Sequence, residues 1–173
     1  FGDLGNGSYS KDNEIFTNVG IITNEEVENK IKKHLVQAIQ KNDYLNIDKI
    51  NVGEIIFKDK TLSKNNVFSC FSCHDVDEKF GGDGFTLSKD NKGGRLPFNS
   101  PTIYNVFYNE NLFWNGRSTS LEDQADGPIH NEFEMDTDWD SVKSVISSSD
   151  YIDDFLGIYS EVNEDNIKNS IVE

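Results

Sequence analysis

Two cysteines and a histidine at fixed spacing are the residues of this chain best suited to chemistry. Cys70 and Cys73 stand three positions apart, and His74 follows immediately. Two thiols on roughly one turn of chain can form thioethers with the two vinyl groups of a porphyrin, and the next residue can place its imidazole beneath the iron. The spacing therefore predicts a covalently attached haem with His74 as the proximal ligand.

The same spacing also occurs in zinc sites and in redox-active thiol pairs. A structural zinc site closes with four ligands, and beyond the motif only His34, His130 or a carboxylate remains to complete one. A redox-active pair is typical of a βαβ setting, and no pattern of buried strands surrounds residues 70–74. Haem attachment is therefore the favoured prediction.

Length and charge restrict the class of protein. The 173 residues have the size of one domain, and the hydrophobic share of 35% includes twelve Phe, six Tyr and two Trp. Because a buried porphyrin would add to these aromatic surfaces, we expect the fold to depend on its cofactor. The net charge of -15 argues against a nucleic acid partner. This negative charge is compatible with a basic protein partner, and it is equally compatible with an acidic surface whose only role is to keep the protein soluble.

The compartment has to be inferred from the cofactor, because both cysteines belong to the motif. Covalent haem attachment is normally completed outside the cytoplasmic membrane, which predicts a periplasmic protein. No apolar run approaches the roughly 20 residues that span a bilayer. No secretory signal is visible at Phe1. We therefore expect a mature, soluble protein without a membrane span.

The first fifty residues are expected to form an N-terminal arm and a helix, with the haem domain in residues 51–173. Residues 1–22 contain Gly, Ser and Asn without sustained periodicity, which predicts an irregular arm. A helix is predicted from Asn24, because apolar residues recur every four positions over 27–39. His34 on this helix can reach a haem, but its lysine neighbours favour an exposed histidine.

The haem domain is predicted to be mainly α-helical, a cytochrome c-like domain with long loops. A short amphipathic pattern covers residues 51–60, a helix start is predicted at residues 120–124, and helical patterns cover residues 138–147 and 151–159. Ser120 has the position of a helix cap. Residues 75–99 contain five glycines and predict a long loop, a feature that is usually functional. The aromatic-rich segments 101–107 and 109–114 are expected to pack on the porphyrin or in the core.

Seven short segments in a fixed order carry further information. They are GEIIFKDKTLS (53–63), SCFSCH (69–74), GGDG (81–84), FNSPTIYN (98–105), FWNGR (113–117), LEDQADGPI (121–129) and EM (134–135). Together they resemble the bacterial dihaem cytochrome c peroxidases and their relatives of the MauG type. The resemblance implies a haem c on this domain that reacts with hydrogen peroxide. It also implies a second haem domain that takes electrons from a small donor protein, a cytochrome c or a cupredoxin.

By position, Gln124 and Glu134 resemble the family's distal pair above the peroxidatic iron. Peroxide must move a proton from its inner to its outer oxygen before the O–O bond breaks. A carboxylate can do this as general base and then acid, and an amide can orient peroxide or water. The resemblance therefore implies that Glu134 shuttles the proton. Without its flanking residues, Glu134 would be an ordinary surface acid among 31 acidic residues.

Two further residues match positions at the family's domain junction. Trp114 resembles the tryptophan between the two haems, and the alternative for it is a large core aromatic. Asn99 falls where the family has a calcium ligand, although calcium takes six to eight oxygens and the others would come from the second domain. A homodimer is also compatible with the resemblance.

The departures from the family pattern leave several functions open. Many members have a histidine in the loop after the haem motif that caps the resting iron, but residues 75–99 contain none. We therefore expect a five-coordinate or water-bound haem unless His130 reaches the iron. Ligation by Met135 would instead give a single-haem electron-transfer cytochrome. MauG-like oxidation of a protein side chain and a sensory or inert haem module are further alternatives.

The number of haems is also open. The chain contains one haem motif. It is therefore either part of a dihaem protein or a natural single-haem relative.

Overall fold

The computed structural model describes residues 14–17, 20–23 and 46–173. The chain divides into two compact units, residues 1–42 and 43–173. In the first unit, strands β1 (Glu14–Thr17) and β2 (Gly20–Thr23) pair antiparallel. This pairing differs from the irregular arm predicted for residues 1–22. Both strands are rich in Ile, Phe and Thr, which favour extended backbone.

Two expectations fall on residues outside this description. The helix predicted from Asn24 and the position of His34 lie outside the described residues.

The described part of the second unit contains six α-helices. They are α1 (Ile47–Lys58), α2 (Cys70–Cys73), α3 (Leu121–His130), α4 (Trp139–Ser147), α5 (Ile152–Ile158) and α6 (Glu164–Val172). Short 3-10 helices cover Lys60–Leu62 and Val106–Tyr108. The prediction of a mainly α domain with long loops is confirmed. Helix α6 was missed because its pattern has few apolar residues.

Polar side chains determine where four of the helices begin. Ser120 Oγ accepts a hydrogen bond from the Asp123 amide at 3.1 Å, which confirms the predicted cap of α3. Side-chain oxygens cap α1, α4 and α6 in the same way, on Asn46, Asp138 and Asn163. Helix α1 therefore begins before residue 51, the first residue of the expected haem domain.

The hydrophobic core lies among α1, α4, α5 and α6 and includes residues from the end of α3. Its buried members are Val52, Ile56, Leu62, Ile129, Met135, Trp139, Val142, Ile146, Phe155, Tyr159 and Ile167. Helices α1 and α6 approach closely at Gly53, where a Cβ atom would lie 2.1 Å from the carbonyl oxygen of Ser170. The absence of a side chain at Gly53 therefore allows the two backbones to touch.

Most of the large aromatic residues in the segment between the loops and α3 are exposed. The exposed fraction is 48% for Tyr104, 70% for Phe107 and 63% for Trp114. These side chains therefore do not pack in the protein core, which leaves the porphyrin as the surface on which the segments 101–107 and 109–114 are expected to pack. In the described parts of the chain, no helix is long and apolar enough to cross a membrane.

Candidate functional site

Helix α2 carries the haem motif and brings its two thiols onto one turn. The helix ends at His74, whose amide donates to the Cys70 carbonyl at 2.9 Å. Both thiols are free and half-buried. Burial raises the pKa of Cys70 to about 12 and that of Cys73 to about 11. Thiols with such pKa values remain protonated at neutral pH, which argues against a redox-active thiolate pair.

The zinc alternative also finds no support in the described residues. Within residues 46–173 and the two strands, no three His, Cys, Asp or Glu side chains are grouped so that they can hold a metal ion. His130 lies at the end of α3, and its Nδ1 is 2.9 Å from the Asp126 carbonyl oxygen of its own helix. The motif is therefore not completed by His130.

The loop after the motif orients His74. Its Nδ1 lies 3.2 Å from the carbonyl oxygen of Gly81. Burial lowers the pKa of His74, while the carbonyls of Gly81 and Pro101 oppose this shift. With a proton on Nδ1 donated to Gly81, the lone pair of a neutral ring is on Nε2. The side chain is thus prepared to bind a metal through Nε2.

The position of the Gly81 carbonyl is determined by Asp75. The Gly81 amide donates to the Asp75 carbonyl at 2.8 Å, and the Asp75 amide donates to the Gly82 carbonyl at 2.9 Å. The Asp75 carboxylate accepts from the amides of Asp77 and Glu78. The hydrogen bond from Glu78 is the main cause of the lowered pKa of Asp75. This compact turn presents its carbonyl to His74.

Glu134 lies near the haem motif in a half-buried position. Its Oε1 accepts a hydrogen bond from Nδ2 of Asn131 at 2.7 Å. Burial raises the pKa of Glu134, although the Asn131 hydrogen bond and the charge of Arg117 oppose the shift. The negative charge of Glu134 in turn contributes to the raised pKa of Cys73, although burial is the main cause of that shift. A carboxyl group with a raised pKa is suited to accept and return a proton.

The long loop holds the backbone around Glu134. Asn91 Nδ2 donates to the carbonyl of Glu134 at 2.8 Å, and the Asn91 amide donates to the carbonyl of Phe133 at 3.0 Å. The Glu134 amide donates to the Asn131 carbonyl at 2.9 Å. Sequence reasoning missed Asn91 and Asn131. Only the position of Asn131 directly after a helix could have indicated a turn-forming role.

Gln124 lies in the first half of α3 and is half-buried. Pro128 stands four residues later in the same helix and has no amide proton to donate to the Gln124 carbonyl. Gln124 and Glu134 are connected through this helix, since Asn131 is its C-cap. The described contacts do not join the two side chains directly.

A cleft of about 490 Å³ opens beside the end of α3. It is lined by Phe113, Arg117, Ser118, Asp123, Asp126, Gly127, His130 and Asn131. The guanidinium of Arg117 stacks on Phe113, with Cζ 3.3 Å from the ring centroid. The positive charge of Arg117 opposes the rise in the pKa of Glu134.

Trp114 and Asn99 lie together on the surface. The indole Nε1 of Trp114 donates to the backbone carbonyl of Asn99 at 3.0 Å. Both residues are exposed, so Trp114 is not a core aromatic. Among the described residues, no group of three acidic or imidazole side chains accompanies Asn99.

Met135 is buried in the helical core, with only 4% of its surface exposed. Its amide donates to the Pro128 carbonyl at 3.1 Å, which ties this turn to α3. Ligation of iron by Met135 would require its side chain to leave the core. This placement argues against a methionine-ligated electron carrier.

Comparison with known proteins gives consistent matches. A family model described as di-haem cytochrome c peroxidase matches residues 47–173. The chain is 34% identical over 141 residues to cytochrome c551 peroxidase of Nitrosomonas europaea, covering 80% of this chain and 42% of that protein. It is 30% identical over 117 residues to methylamine utilization protein MauG of Methylophilus methylotrophus, covering 68% of this chain and 34% of that protein.

A solved structure agrees with these matches. The crystal structure of a MauG-like protein associated with microbial copper homeostasis superposes with a TM-score of 0.66 at 26% identity. The superposition covers 75% of this chain and 40% of that chain. The chain therefore spans less than half the length of the proteins that it matches.

Proposed function

Because the chain belongs to the di-haem cytochrome c peroxidase family, we propose that it is the part of a c-type haem peroxidase at which hydrogen peroxide is reduced to water. The observation that carries this proposal is the half-buried, hydrogen-bonded carboxyl group of Glu134, whose charge contributes to the raised pKa of Cys73 in the haem motif. Two electrons from a donor protein and two protons convert one peroxide into two waters.

The donor set of α2 suits a haem c. Cys70 and Cys73 would hold the porphyrin through thioethers, and His74 would bind the iron through Nε2. The position of both cysteines on one helical turn and the contact of Nδ1 with the Gly81 carbonyl support this assignment. When bound, the haem supplies an iron at which peroxide is reduced. One haem c is proposed for this chain, and the whole protein would hold a second one in another domain.

Glu134 would take a proton from one peroxide oxygen and return it to the other. The raised pKa of its carboxyl group lowers the cost of holding that proton. Gln124, on the half-buried side of α3, would orient peroxide or water through its amide. Proton transfer by a positioned side chain of this kind contributes about 10²–10⁴-fold to a rate.

Trp114 and Asn99 would belong to the junction with the second domain. The exposed indole is held by the Asn99 carbonyl and can lie between two haems. Asn99 would contribute one oxygen to a calcium ion whose other ligands come from the second domain. The haem domain would include helix α1 from Ile47 onward and continue to residue 173, and the strands β1 and β2 would precede it in the chain.

The location and partners are also part of the proposal. Covalent haem attachment supports a periplasmic protein. The donor would be a small cytochrome c or cupredoxin, and the net charge of -15 favours a basic one. A homodimer is proposed for the whole protein, and no nucleic acid partner is expected.

Replacement of Glu134 tests the function. In the haem-loaded full-length protein, Glu134→Gln should lower the rate of peroxide reduction by about 10²-fold or more, because an amide cannot carry the proton. The absorption spectrum and the haem content should stay unchanged. The rate is measured by stopped-flow mixing with peroxide.

A neighbouring acid provides the control. Glu132→Gln removes an exposed carboxylate that pairs with Lys92 on the surface, and it should leave the rate within twofold or so. Full activity of Glu134→Gln would overturn the proposed function.

The MauG-like alternative is oxidation of a protein side chain by the same site. The exposed indole of Trp114 and the similarity to MauG of Methylophilus methylotrophus favour it as the second candidate. Electron counting separates the two functions. A peroxidase consumes two reduced donor molecules for each peroxide, whereas oxidation of a protein side chain proceeds without a reduced donor.

A further inference from the structure

We propose that Asn131 is a positioning residue that holds the carboxyl group of Glu134 in the orientation needed for proton transfer. This inference rests on the proposed function, because it concerns the same reaction.

Asn131 is itself held in one orientation. Its Oδ1 accepts a hydrogen bond from the Phe133 amide at 3.0 Å, and its Nδ2 donates to Glu134 Oε1 at 2.7 Å. A flipped side-chain amide would turn its NH₂ toward the Phe133 amide and its oxygen toward the carboxylate, and both contacts would be repulsive. The turn after α3 therefore aims the donor of Asn131 at Glu134.

The backbone of Glu134 has separate supports. Asn91 and the Asn131 carbonyl hold its peptide groups by hydrogen bonds. Neither of these bonds restricts the torsions of the Glu134 side chain. The Nδ2 donor of Asn131 makes the side-chain hydrogen bond that the described residues provide to this carboxyl group. Asn131 therefore determines where the proton-carrying oxygens lie.

The groups that face Glu134 define the expected pH dependence. Arg117 contributes a positive charge, Cys73 on α2 is neutral as a thiol or a thioether, and Asn91 from the long loop is a neutral amide. Loss of the Asn131 donor would leave the half-buried carboxylate without a partner, so the pKa of Glu134 would rise. Since the reaction needs ionised Glu134, the acidic limb of its pH profile would move to higher pH.

Asn131→Asp is the most direct test in the haem-loaded, full-length protein. The new carboxylate keeps an acceptor for the Phe133 amide, but it removes the donor and places a negative charge at Glu134. We expect the acidic limb of the kcat profile to move to higher pH by about one pH unit or more, so that kcat on the acidic side of the limb falls about tenfold. The KM for peroxide should change little, because binding of neutral peroxide does not depend on the ionisation of Glu134.

A second variant removes the donor without adding charge. Asn131→Ser keeps a hydroxyl acceptor for the turn, but its side chain is too short to reach Glu134. The acidic limb of the kcat profile should again move to higher pH, but by less than in Asn131→Asp. Asn166→Asp on α6 is the matched control. It also removes a side-chain amide donor, Nδ2, which in the wild type lies 3.0 Å from the Glu161 carbonyl oxygen. It should leave the pH profile unchanged.

Two readouts do not depend on turnover. The infrared carboxyl band of Glu134, identified by its loss in Glu134→Gln, should titrate at higher pH in both Asn131 variants. In the unmodified protein, the side-chain NMR signals of Asn131 should shift with the ionisation of Glu134. This second measurement does not require any variant to fold.

The outcomes separate the two claims. If Glu134→Gln keeps the full rate, the proposed function fails. If Glu134→Gln is slow but the Asn131 variants keep the wild-type pH limb and infrared titration, only the role of Asn131 fails. Side-chain NMR signals of Asn131 that do not shift when Glu134 ionises would also overturn that role.

Discussion

At the scale of single residues, the orientation of His74 depends on one backbone carbonyl. The Gly81 oxygen accepts from the Ile103 amide at 3.1 Å and lies 3.2 Å from Nδ1 of His74. Gly81 has a φ of +76°, and a Cβ atom there would lie 3.0 Å from the Ile103 nitrogen. Both the left-handed backbone and the close approach of residue 103 therefore require glycine at this position.

Gly81→Ala should disturb the proximal side of the haem site. We expect a loss of about 1–2 kcal/mol from the left-handed backbone and a further loss of about 1–3 kcal/mol from the clash with Ile103. The reduction potential of the haem should also change, because the partner of Nδ1 moves. Urea unfolding and redox titration of the haem-loaded protein measure the two effects.

Gly93→Ala is the control for this prediction. Gly93 also has a positive φ of +87°, but no atom lies within 4 Å of the added Cβ. It should show the backbone penalty of about 1–2 kcal/mol with an unchanged reduction potential. Equal effects of the two substitutions would contradict the role assigned to the Gly81 carbonyl.

At the scale of elements, ion pairs of the buried Lys168 and a hydrogen bond of Trp139 join α3, α4 and α6. Lys168 Nζ lies 2.8 Å from Asp126 Oδ1 and 2.6 Å from Glu164 Oε1, and Trp139 Nε1 donates to the same Asp126 oxygen at 2.7 Å. Burial alone would lower the pKa of Lys168, but the hydrogen bonds to Asp126 and Glu164 leave it raised. This network holds α3, the helix that carries Gln124.

Gly53→Ala tests the contact between α1 and α6. In an open helix the substitution would stabilise the protein by about 1 kcal/mol, but here the Cβ atom would lie 2.1 Å from the Ser170 oxygen. Separation of the helices should make the net effect a destabilisation of about 1–3 kcal/mol in urea unfolding.

Gly157→Ala in α5 is the matched helical control. No atom lies within 4 Å of its added Cβ, so it should stabilise the protein by about 0.5–1 kcal/mol. Stabilisation by both substitutions would show that α1 and α6 are not in close contact at Gly53.

At the scale of the whole molecule, family membership confirms the resemblance that the seven short segments indicated. The matched region begins at residue 47 and continues to residue 173, so it extends beyond the first and the last of these segments. The chain also has a net charge of -15. The electric field of this charge would attract a basic donor protein, and dissolved salt would weaken that attraction by screening it.

The rate of electron delivery should therefore depend on salt. For the full-length protein and a basic small cytochrome c, we expect the second-order rate constant to fall by about tenfold between low and physiological ionic strength. The measurement is stopped-flow oxidation of the reduced donor in the presence of peroxide. A neutral donor serves as the control, and a similar salt dependence for both donors would show that the acidic surface serves only solubility.

Features that depend on neighbouring residues were predictable. The cap at Ser120 and the helices near residues 138–147 and 151–159 follow from local pattern, and the structure confirms them. Helix α6 was not predicted, because it is stabilised by its packing on α1 and α3 rather than by its own periodicity. The exposure of Trp114 was not predictable either, because it depends on how separate segments pack in the tertiary structure.

The sequence by itself determined the spacing on which the proposed haem attachment rests, because Cys70, Cys73 and His74 lie within one turn of chain and need no distant partner to define it. Only the tertiary structure decided what surrounds His74 and Glu134. The Gly81 carbonyl is presented by a turn stabilised by residue 103, and Asn91 reaches Glu134 from the long loop. These contacts arise when separate segments pack together, so no local pattern could reveal them.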